Sequence, residues 1–399
     1  MQSVARDGYI IDTGAGAIAE SYKAYIELAD ELGLGNEIVA APSCVGIFRD
    51  GRLHELNLER MLSVAATRVL SFGAKLRLLR LIWDIAMARM RGQLDYTDMG
   101  KAPRPDTESA GAYARRVIGQ EAADYFASPI VRVMLIADMD KISKVELFTG
   151  VANIMSRRIS ALRGGQGSLP QLLAPNLHPR LNHPVDRVME KPDGVGVTYR
   201  DPQGIRHVES FDAGIVCCPL SEAARICPGK QALLGPLNRG LAYTQSMTVA
   251  LAFNRAPHSK AFLVQMPTCE DPDVALLFLD HNKSSDRAPT GCGLIDCHWE
   301  TDAAARMMDR PDEEIVARSL QTVHRVFPEV HGHLAFSHVT RWRQALPCTA
   351  VGVYRLIGDF NAAIDPKSRI QFAADYMSEA GQNSAVELGN RAARTVFAL

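Results

Sequence analysis

The spacing of apolar and polar positions changes along the chain, and each change predicts a different element. The apolar run Tyr9–Ile11 and the Asp12-Thr13-Gly14-Ala15-Gly16 that follows predict a strand ending in a glycine-bearing turn. Apolar residues recur at helical spacing over 20–33 and predict an amphipathic helix. Residues 38–56 predict a hairpin whose turn is Arg49-Asp50-Gly51.

Helical periodicity, broken by glycines and prolines, then continues over residues 57–160 without a strand signal, and predicts a helical insertion. Strand signals return after residue 160. The predicted strands lie at 185–189, 194–200, 205–217, 246–254, 261–266, 273–280, 291–299, 334–342 and 369–373, with helices at 311–327 and 383–397. This order of strands and helices predicts a mixed α/β fold.

Composition narrows the function classes only slightly. The chain has 399 residues and a formal net charge of −1, so no global field favours nucleic acid as a partner. We find no signal peptide and no uninterrupted apolar stretch long enough to span a bilayer, so the sequence predicts a cytoplasmic protein. The eight cysteines are interpreted as free thiols of a reducing compartment.

A zinc site built on Cys292, Cys297 and His298 is the alternative interpretation of the cysteines. Positions 292 and 297 point to opposite faces of an alternating strand, so this spacing does not favour a shared metal ion. We therefore predict no metal.

The C-terminal segment carries the chemistry best suited to a cofactor. A buried strand ends on Asp375, and Gln382, Asn383 and Ser384 begin a helix rich in small residues. Free N–H groups and the positive dipole end at such a helix start favour a phosphate or a flavin carbonyl. A carboxylate at the strand end suits a ribityl hydroxyl. A strand, loop and helix that merely close an α/β domain give the same pattern, and this alternative stays open.

This segment resembles the C-terminal flavin motif of the FAD-dependent superfamily that includes amine oxidases, protoporphyrinogen oxidases and phytoene desaturases. Asp375 matches the acid of the motif, whereas Ala374 stands where the family usually has glycine. Further segments resemble the family in the same order. The resemblance implies that FAD is the cofactor and adds Asp12, Gly14, Ala15, Val185 and Cys218 to the cofactor-binding candidates Asp375, Gln382, Asn383 and Ser384.

The resemblance also implies a domain organisation. We expect a partial FAD-binding, Rossmann-like domain, an antiparallel-sheet substrate domain and a helical insertion. The FAD-domain segments are expected at 1–19, 161–230 and 346–399, the helical region at 20–160 and the substrate-domain sheet at 231–345.

One part of the family pattern is missing from the sequence. The family begins with a βαβ unit bearing G-x-G-x-x-G, whereas Gly14-Ala15-Gly16 lacks the third glycine and Gly33-Leu34-Gly35 follows a helix. Two hypotheses follow. The chain is a shortened flavoenzyme, or it is a non-catalytic binding or scaffold protein in which FAD binding is weak or lost.

The expected activity is hydride transfer from a hydrophobic substrate to the flavin, as the resemblance to protoporphyrinogen oxidases and desaturases implies. The candidate strand 246–253 has no lysine, unlike many amine oxidases, and its apolar character suits a hydrophobic substrate. Tyr243, Trp342 and Tyr354 are candidates for the pocket lining, although ordinary packed aromatics give the same pattern.

Residues 60–91 hold seven basic residues and a single acid, Asp84, among many apolar ones. A basic amphipathic helix of this kind is typical of contact with an anionic membrane surface, here the inner membrane face. It is equally typical of a helix packed on the substrate domain with a solvated basic face, and both interpretations stay open.

Overall fold

A seven-stranded sheet forms the centre of the computed structural model, which describes residues 1–59, 67–95, 98–154 and 158–399. Neighbouring strands in this sheet run antiparallel, except that Leu263–Gln265 pairs in parallel with Cys44–Arg49. In spatial order the strands are Leu334–Trp342, Ser246–Phe253, Gly293–Trp299, Val274–Leu279, Leu263–Gln265, Cys44–Arg49 and Arg52–Asn57.

The two faces of this sheet have different neighbours because side chains alternate along each strand. Met247, Val249 and Leu251 point to one face and pack on the helix Asp312–Val326 in a shared apolar core. Three acidic residues open that helix, where they complement its dipole. The opposite face carries Thr248 and Ala250 and turns toward the N-terminal strands.

Five smaller sheets surround the central one. They are the hairpin Ser3–Arg6 and Tyr9–Asp12; Ile18–Ala19, Ile159–Leu162 and Ile38–Ala40; Arg206–Phe211, Gly194–Arg200 and Val185–Lys191; the parallel pair Gly214–Val216 and Ile370–Phe372; and Ala242–Tyr243 with Pro347–Cys348. The parallel pair is short, three residues in each strand.

Helices account for most of the remaining described chain. The α-helices are Lys23–Glu31, Phe72–Met90, Ala110–Val117, Gln120–Ala122, Ser128–Leu135, Lys144–Ile154, Ser168–Leu177, Leu220–Ile226, Gln231–Gly240, Asp280–Lys283, Thr301–Met307, Asp312–Val326, Val353–Ala363 and Gln382–Phe397. A π-helical turn occurs at Ala123–Ala127. Short 3₁₀ turns occur at Gly35–Glu37, Met99–Lys101, Pro228–Lys230, Pro328–Val330 and Asp375–Met377.

The mixed fold expected from the sequence is confirmed, with corrections to individual elements. The strand expected over 205–217 is two strands of different sheets, Arg206–Phe211 and Gly214–Val216. The helix expected from residue 20 begins at Lys23, because Ile18–Ala19 is used as a strand. The expected hairpin is Cys44–Arg49 and Arg52–Asn57, and residues 38–40 belong to another sheet. Ile159–Leu162 is a strand at the end of the stretch predicted to be helical. All eight cysteines are free.

Candidate cofactor site

The carboxyl ends of the two parallel strands bring two of the candidate residues together. Val216 pairs with Phe372, and the Ala373 N–H donates to the Val216 carbonyl at 3.1 Å. Cys218 and Asp375 therefore leave the sheet at the same edge. In parallel α/β sheets, ligands bind outside the carboxyl ends of the strands, so this edge is the expected place for a dinucleotide.

Tyr243 lies at this edge and contacts the Asp375 carboxylate. Its hydroxyl donates to Asp375 Oδ1 at 3.0 Å and accepts from the Leu220 N–H at 3.2 Å. Burial raises the pKa of the Asp375 carboxyl, and burial together with the Asp375 charge raises the pKa of the Tyr243 hydroxyl. The structure places Tyr243 beside a cofactor candidate, and the substrate-pocket role expected for Tyr243 stays a prediction.

Polar groups at and near the start of the C-terminal helix are not satisfied by hydrogen bonds within the described residues. The helix Gln382–Phe397 has no side-chain cap and no acid in its first turn. Among the described residues, Gln382 Oε1 and the Tyr376 hydroxyl are buried without a hydrogen-bond partner. Ser384, two residues after Gln382, is also buried. Buried polar atoms of this kind are normally satisfied, so they indicate a missing partner.

Asn383 has a different role in the same helix turn. Its Oδ1 accepts from the Tyr25 N–H at 3.2 Å, and its amide donates to Glu387 at 2.9 Å. These bonds fasten the helix Lys23–Glu31 to the C-terminal helix. The Asn383 amide is therefore already engaged within the protein, and its role toward a cofactor stays a prediction.

The Asp12 carboxylate is buried in a network of charged and polar groups. Oδ1 accepts from Ser3 Oγ at 2.6 Å and from the Gln166 N–H at 2.8 Å. Oδ2 lies 3.0 Å from a nitrogen of Arg287 and 3.7 Å from Lys283 Nζ. Asp12 thus fixes the loop before residue 168, while its proposed contact with the cofactor stays a prediction.

Trp342 lies against the glycine-bearing turn that follows Asp12. Its indole N–H donates to the Thr13 carbonyl at 2.6 Å, and the Thr248 hydroxyl donates to the same oxygen at 3.2 Å. A Cβ on Gly14 would lie 3.6 Å from the Trp342 ring, and Ala15 is exposed. The turn therefore sits on the central sheet with Ala15 open to an incoming group.

Val185 and Tyr354 lie apart from this group. Val185 is half-buried in its three-stranded sheet, and its carbonyl accepts from Arg225 at 3.2 Å. Tyr354 is fully buried, and its hydroxyl donates to Glu146. Burial and the Glu146 charge raise the pKa of Tyr354 well above its ordinary value. The substrate role expected for Tyr354 stays a prediction.

Several buried polar residues around this region were not among the candidates predicted from the sequence. Lys283 and Arg287 are almost wholly buried against Asp12, and Asp296 with His298 forms a second buried pair. A polar run directly after a buried apolar strand, at Asp280, was the available signal for Lys283. No cluster of three or more metal-ligating side chains occurs within the described ranges.

The residues at the parallel-strand edge fit a dinucleotide cofactor. An uncapped helix start, a carboxylate at a strand end and two unpartnered buried polar atoms are the groups that phosphate, ribityl and flavin oxygens require. The fold and this edge define a protein of the FAD-dependent oxidoreductase class.

Comparison with known proteins places the chain within that class. The model for flavin containing amine oxidoreductases matches residues 1–397. The chain belongs to the flavin-containing amine oxidoreductase family, and its cofactor is FAD. The alternative of a non-catalytic relative is not favoured, because the matched family and relatives are oxidases.

Two curated relatives and one solved structure show how far the similarity extends. Coproporphyrinogen III oxidase of Bacillus subtilis (strain 168) is 22% identical over 395 residues, which cover 91% of this chain and 81% of the relative. The enzyme of that name from Propionibacterium freudenreichii subsp. freudenreichii is 23% identical, covering 87% and 74%. Putrescine oxidase bound to putrescine superposes with a TM-score of 0.79 at 17% identity, covering 100% and 90%.

Proposed function

We propose that this chain oxidises a hydrophobic tetrapyrrole of the porphyrinogen type, with FAD as the electron acceptor. The observation that carries the proposal is the sheet face opposite Thr13–Gly16, where Ala250, Leu276 and Phe278 are buried and apolar. Thr248, Asp296 and His298 are polar side chains on the same face. An apolar wall with a few such polar groups suits a large hydrophobic ring system better than a small diamine. Both curated relatives act on a porphyrinogen, as their names state.

The residues proposed to hold FAD are those at the parallel-strand edge and the glycine-bearing turn. Asp375 would accept hydrogen bonds from cofactor hydroxyls, and the N–H groups of the Gln382–Ser384 turn would face negative oxygens. Cys218 and Gly14 would lie beside the cofactor. FAD supplies the acceptor for a hydride, while the protein's own groups bind and orient the substrate and exclude water.

Turnover of defined substrates, mixed without oxygen before oxygen is admitted, tests the proposal. The full chain is saturated with FAD, mixed with coproporphyrinogen III, protoporphyrinogen IX or putrescine, and exposed to oxygen while porphyrin fluorescence and peroxide are recorded. We expect porphyrin formation well above the protein-free autoxidation rate, and no peroxide with putrescine. Oxidation of putrescine without any porphyrinogen oxidation would overturn the proposal.

We further propose that the helix Phe72–Met90 rests on an anionic membrane surface. Five of its large apolar side chains, spaced three, four and seven residues apart, form a stripe along one outward face. Each of the five is at least 58% exposed, and they are Phe72, Leu76, Leu79, Trp83 and Met90. Exposed apolar stripes of this length indicate an interaction surface.

Basic residues flank this stripe on both sides. Arg77 and Arg80 lie on one side and Arg89 on the other, and all three are exposed. Arg80 forms an ion pair with Asp84 at 3.1 Å. An apolar stripe between basic flanks suits lipid tails and anionic headgroups together. Arg60, which the sequence analysis included in this surface, lies outside the described residues.

No helix in the described ranges is both long and apolar enough to cross a bilayer, so contact of this kind would be peripheral. Co-sedimentation with vesicles of anionic or neutral lipid tests it. We expect binding to anionic vesicles that falls as salt rises, because screening weakens the headgroup attraction.

A double variant, Leu79→Glu with Trp83→Glu, should abolish sedimentation. A matched control is Leu177→Glu, an equally exposed leucine on another helix, which should leave sedimentation unchanged. Retention of binding by the double variant, or equal binding to neutral vesicles, would reject the membrane proposal. Dimerisation lost in the double variant without any vesicle binding would point to a second copy of the chain instead.

A further inference from the structure

Asp296 and His298 form a buried pair on one face of the central sheet. They lie two residues apart on the strand Gly293–Trp299, so their side chains share a face. His298 Nε2 lies 3.1 Å from Asp296 Oδ2. Asp296 is 3% exposed and His298 is 7% exposed. A buried carboxylate bonded to one ring nitrogen fixes the orientation of an imidazole and leaves the other nitrogen for other chemistry.

This face is the one that meets the glycine-bearing turn. His298 pairs across the sheet with Thr248, whose hydroxyl donates to the Thr13 carbonyl. The His298 ring also meets Phe278 edge to face, with centroids 5.2 Å apart. Phe278 in turn lies 3.9 Å from where a Cβ on Gly16 would be. The pair is therefore one side chain away from the turn that the proposed function places beside FAD.

The cross-strand neighbours of Asp296 are apolar, which makes its burial unfavourable unless the carboxylate has a function. Ala250 and Phe278 are the cross-strand neighbours of Asp296. Among the described residues, Asp296 Oδ1 is buried without a hydrogen-bond partner. A packed sheet gains nothing from an under-satisfied carboxylate, because burying such a group without full hydrogen bonding is unfavourable.

Other charged groups face the pair from neighbouring elements. Asp280 and Lys283 follow the adjacent strand and bond to each other at 2.6 Å. Asp12 and Arg287 lie beyond them. Burial raises the pKa of the Asp280 carboxyl, the Lys283 charge opposes the rise, and the Asp296 charge adds to it. The charges of these four residues therefore act on the Asp296–His298 pair.

We propose that His298, oriented by Asp296, accepts the proton that the substrate loses from nitrogen during its oxidation. The inference rests on the proposed function. A two-electron oxidation of a porphyrinogen breaks a C–H bond at a bridging carbon and an N–H bond of the adjacent pyrrole. Bound FAD would supply the acceptor for the hydride, which carries both C–H electrons. The N–H electrons stay in the ring as a new double bond, and the proton goes to His298.

The alternative is that the pair only stabilises the sheet. In that case its loss should lower the melting temperature and leave the catalytic parameters of the folded enzyme unchanged. If His298 has a catalytic role, its substitution should instead change kcat and the pH dependence of kcat.

Kinetics of His298→Gln and Asp296→Asn in the FAD-saturated full chain, from pH 5.5 to 9, separate the two roles. Both variants keep size and hydrogen-bonding capacity. We expect kcat/KM of His298→Gln to fall roughly 100-fold or more, as loss of a general base does. The acid limb of its pH profile should also disappear. Asp296→Asn should show a smaller fall.

His281→Gln is the matched control. His281 is a partly buried histidine on the neighbouring turn, bonded through Nδ1 to the Leu294 backbone. Its removal should leave kcat/KM and the pH profile unchanged. FAD affinity, the flavin absorption spectrum and the melting temperature, recorded for all variants, report folding and cofactor loading independently of turnover.

Two outcomes are decisive against the inference. If His298→Gln binds FAD, melts like the parent and retains its kcat/KM and acid limb, His298 is not the proton acceptor. If it melts much lower and kcat per folded enzyme is unchanged, the pair is structural. Failure of the parent chain itself to oxidise any porphyrinogen would instead reject the proposed function.

Discussion

The hydroxyl of Tyr243 lies 3.0 Å from Oδ1 of Asp375 and donates a hydrogen bond to it. Tyr243 belongs to the short strand Ala242–Tyr243, which leads directly into the central sheet, whereas Asp375 lies three residues after the strand Ile370–Phe372 of the parallel pair. The bond therefore connects the sheet that carries the apolar wall to the edge proposed to hold the cofactor.

Asp375→Asn should weaken FAD binding by roughly tenfold to a hundredfold, the effect of losing a charged hydrogen bond of about 1.5–3 kcal/mol. Burial raises the pKa of this carboxyl, so its charge is unfavourable in the cofactor-free protein. The variant should therefore melt no lower than the parent without FAD. Fluorescence titration of FAD and melting curves measure both effects.

Tyr243→Phe is the control for that substitution. It removes the donor to Asp375 but keeps the carboxylate, so FAD affinity should change less than in Asp375→Asn. An unchanged FAD dissociation constant in Asp375→Asn, with a lowered melting temperature, would instead assign Asp375 to the helix cap.

Glu379 should make stability fall as pH rises. Burial, and to a smaller extent the Glu146 charge, raises the pKa of Glu379 to about 8. The contribution of Glu379 to folding stability is fully present below its unfolded pKa of about 4.3. It is lost as pH rises through the folded pKa. Glu379→Gln keeps the oxygen that accepts from Asn153 at 3.2 Å. The stability of Glu379→Gln relative to the parent should therefore rise by at most about 1.4 kcal/mol for each pH unit between the unfolded pKa and the folded pKa of Glu379.

Urea denaturation of both proteins at pH 5, 6.5 and 8 measures this difference. A stability difference that does not change with pH would show that Glu379 titrates normally in the folded protein.

Asp271 should stabilise the fold at neutral pH and lose its effect in acid. Burial alone would raise its pKa, but hydrogen bonds from Thr322 at 2.6 Å and the Val274 N–H, with the charge of Arg318, lower it. Asp271→Asn leaves the partly exposed Arg318 and Arg325 with a neutral partner and removes charged hydrogen bonds, which should cost about 1.5–3 kcal/mol at pH 7.

This contribution is present above the unfolded pKa and disappears as pH falls through the folded one. Parent and Asp271→Asn should therefore converge in stability below pH 4 or so. Equal stabilities at pH 7 would contradict the prediction.

Gly16→Ala should destabilise the protein by about 1–3 kcal/mol. A Cβ at this buried position would lie 3.0 Å from Lys283 Nζ, whose ammonium is held by Asp280. Gly14→Ala is the matched control, since its Cβ would meet Trp342 at an ordinary 3.6 Å. Thermal melting of the two variants without FAD compares them, and an equal loss at both positions would remove the Lys283 contact as the cause.

Trp83 should report membrane contact by fluorescence. The chain has three tryptophans, and Trp83 is 60% exposed whereas Trp299 is 1% exposed. Insertion of Trp83 into lipid should shift emission to shorter wavelength when anionic vesicles are added. Trp83→Phe should remove the shift without removing vesicle binding. Emission that does not move in the parent at saturating vesicles would contradict insertion of this face.

Sequence reasoning located strands best where side chains are uniformly apolar. Ser246–Phe253 and Gly293–Trp299 are buried along their whole length, and both were predicted within two residues. Ile159–Leu162 was missed because its four residues carry no alternation, and its partners come from residues near 18 and 38. Such pairing is decided by tertiary contacts, not by local preference.

In the candidate site too, some features could be predicted from the sequence and others depend on tertiary contacts. Cys218 and Asp375 end predicted strands, so their meeting at one edge could be expected from the rule for parallel sheets. Three hydrogen bonds of this site join residues more than a hundred positions apart, and they are Tyr243 to Asp375, Tyr25 to Asn383, and Gln166 to Asp12. No local pattern specifies these contacts.

The strand Leu263–Gln265 pairs in parallel with the strand Cys44–Arg49, and this pairing limits when the central sheet can form during synthesis. A ribosome must add more than two hundred residues after the hairpin before its partner strand exists, and the strand Ile370–Phe372 follows later still. Until then the hairpin presents an unpaired edge, which is prone to association with other chains. We therefore expect the nascent chain to depend on chaperones, and to reach its native sheet only after most of it has left the ribosome.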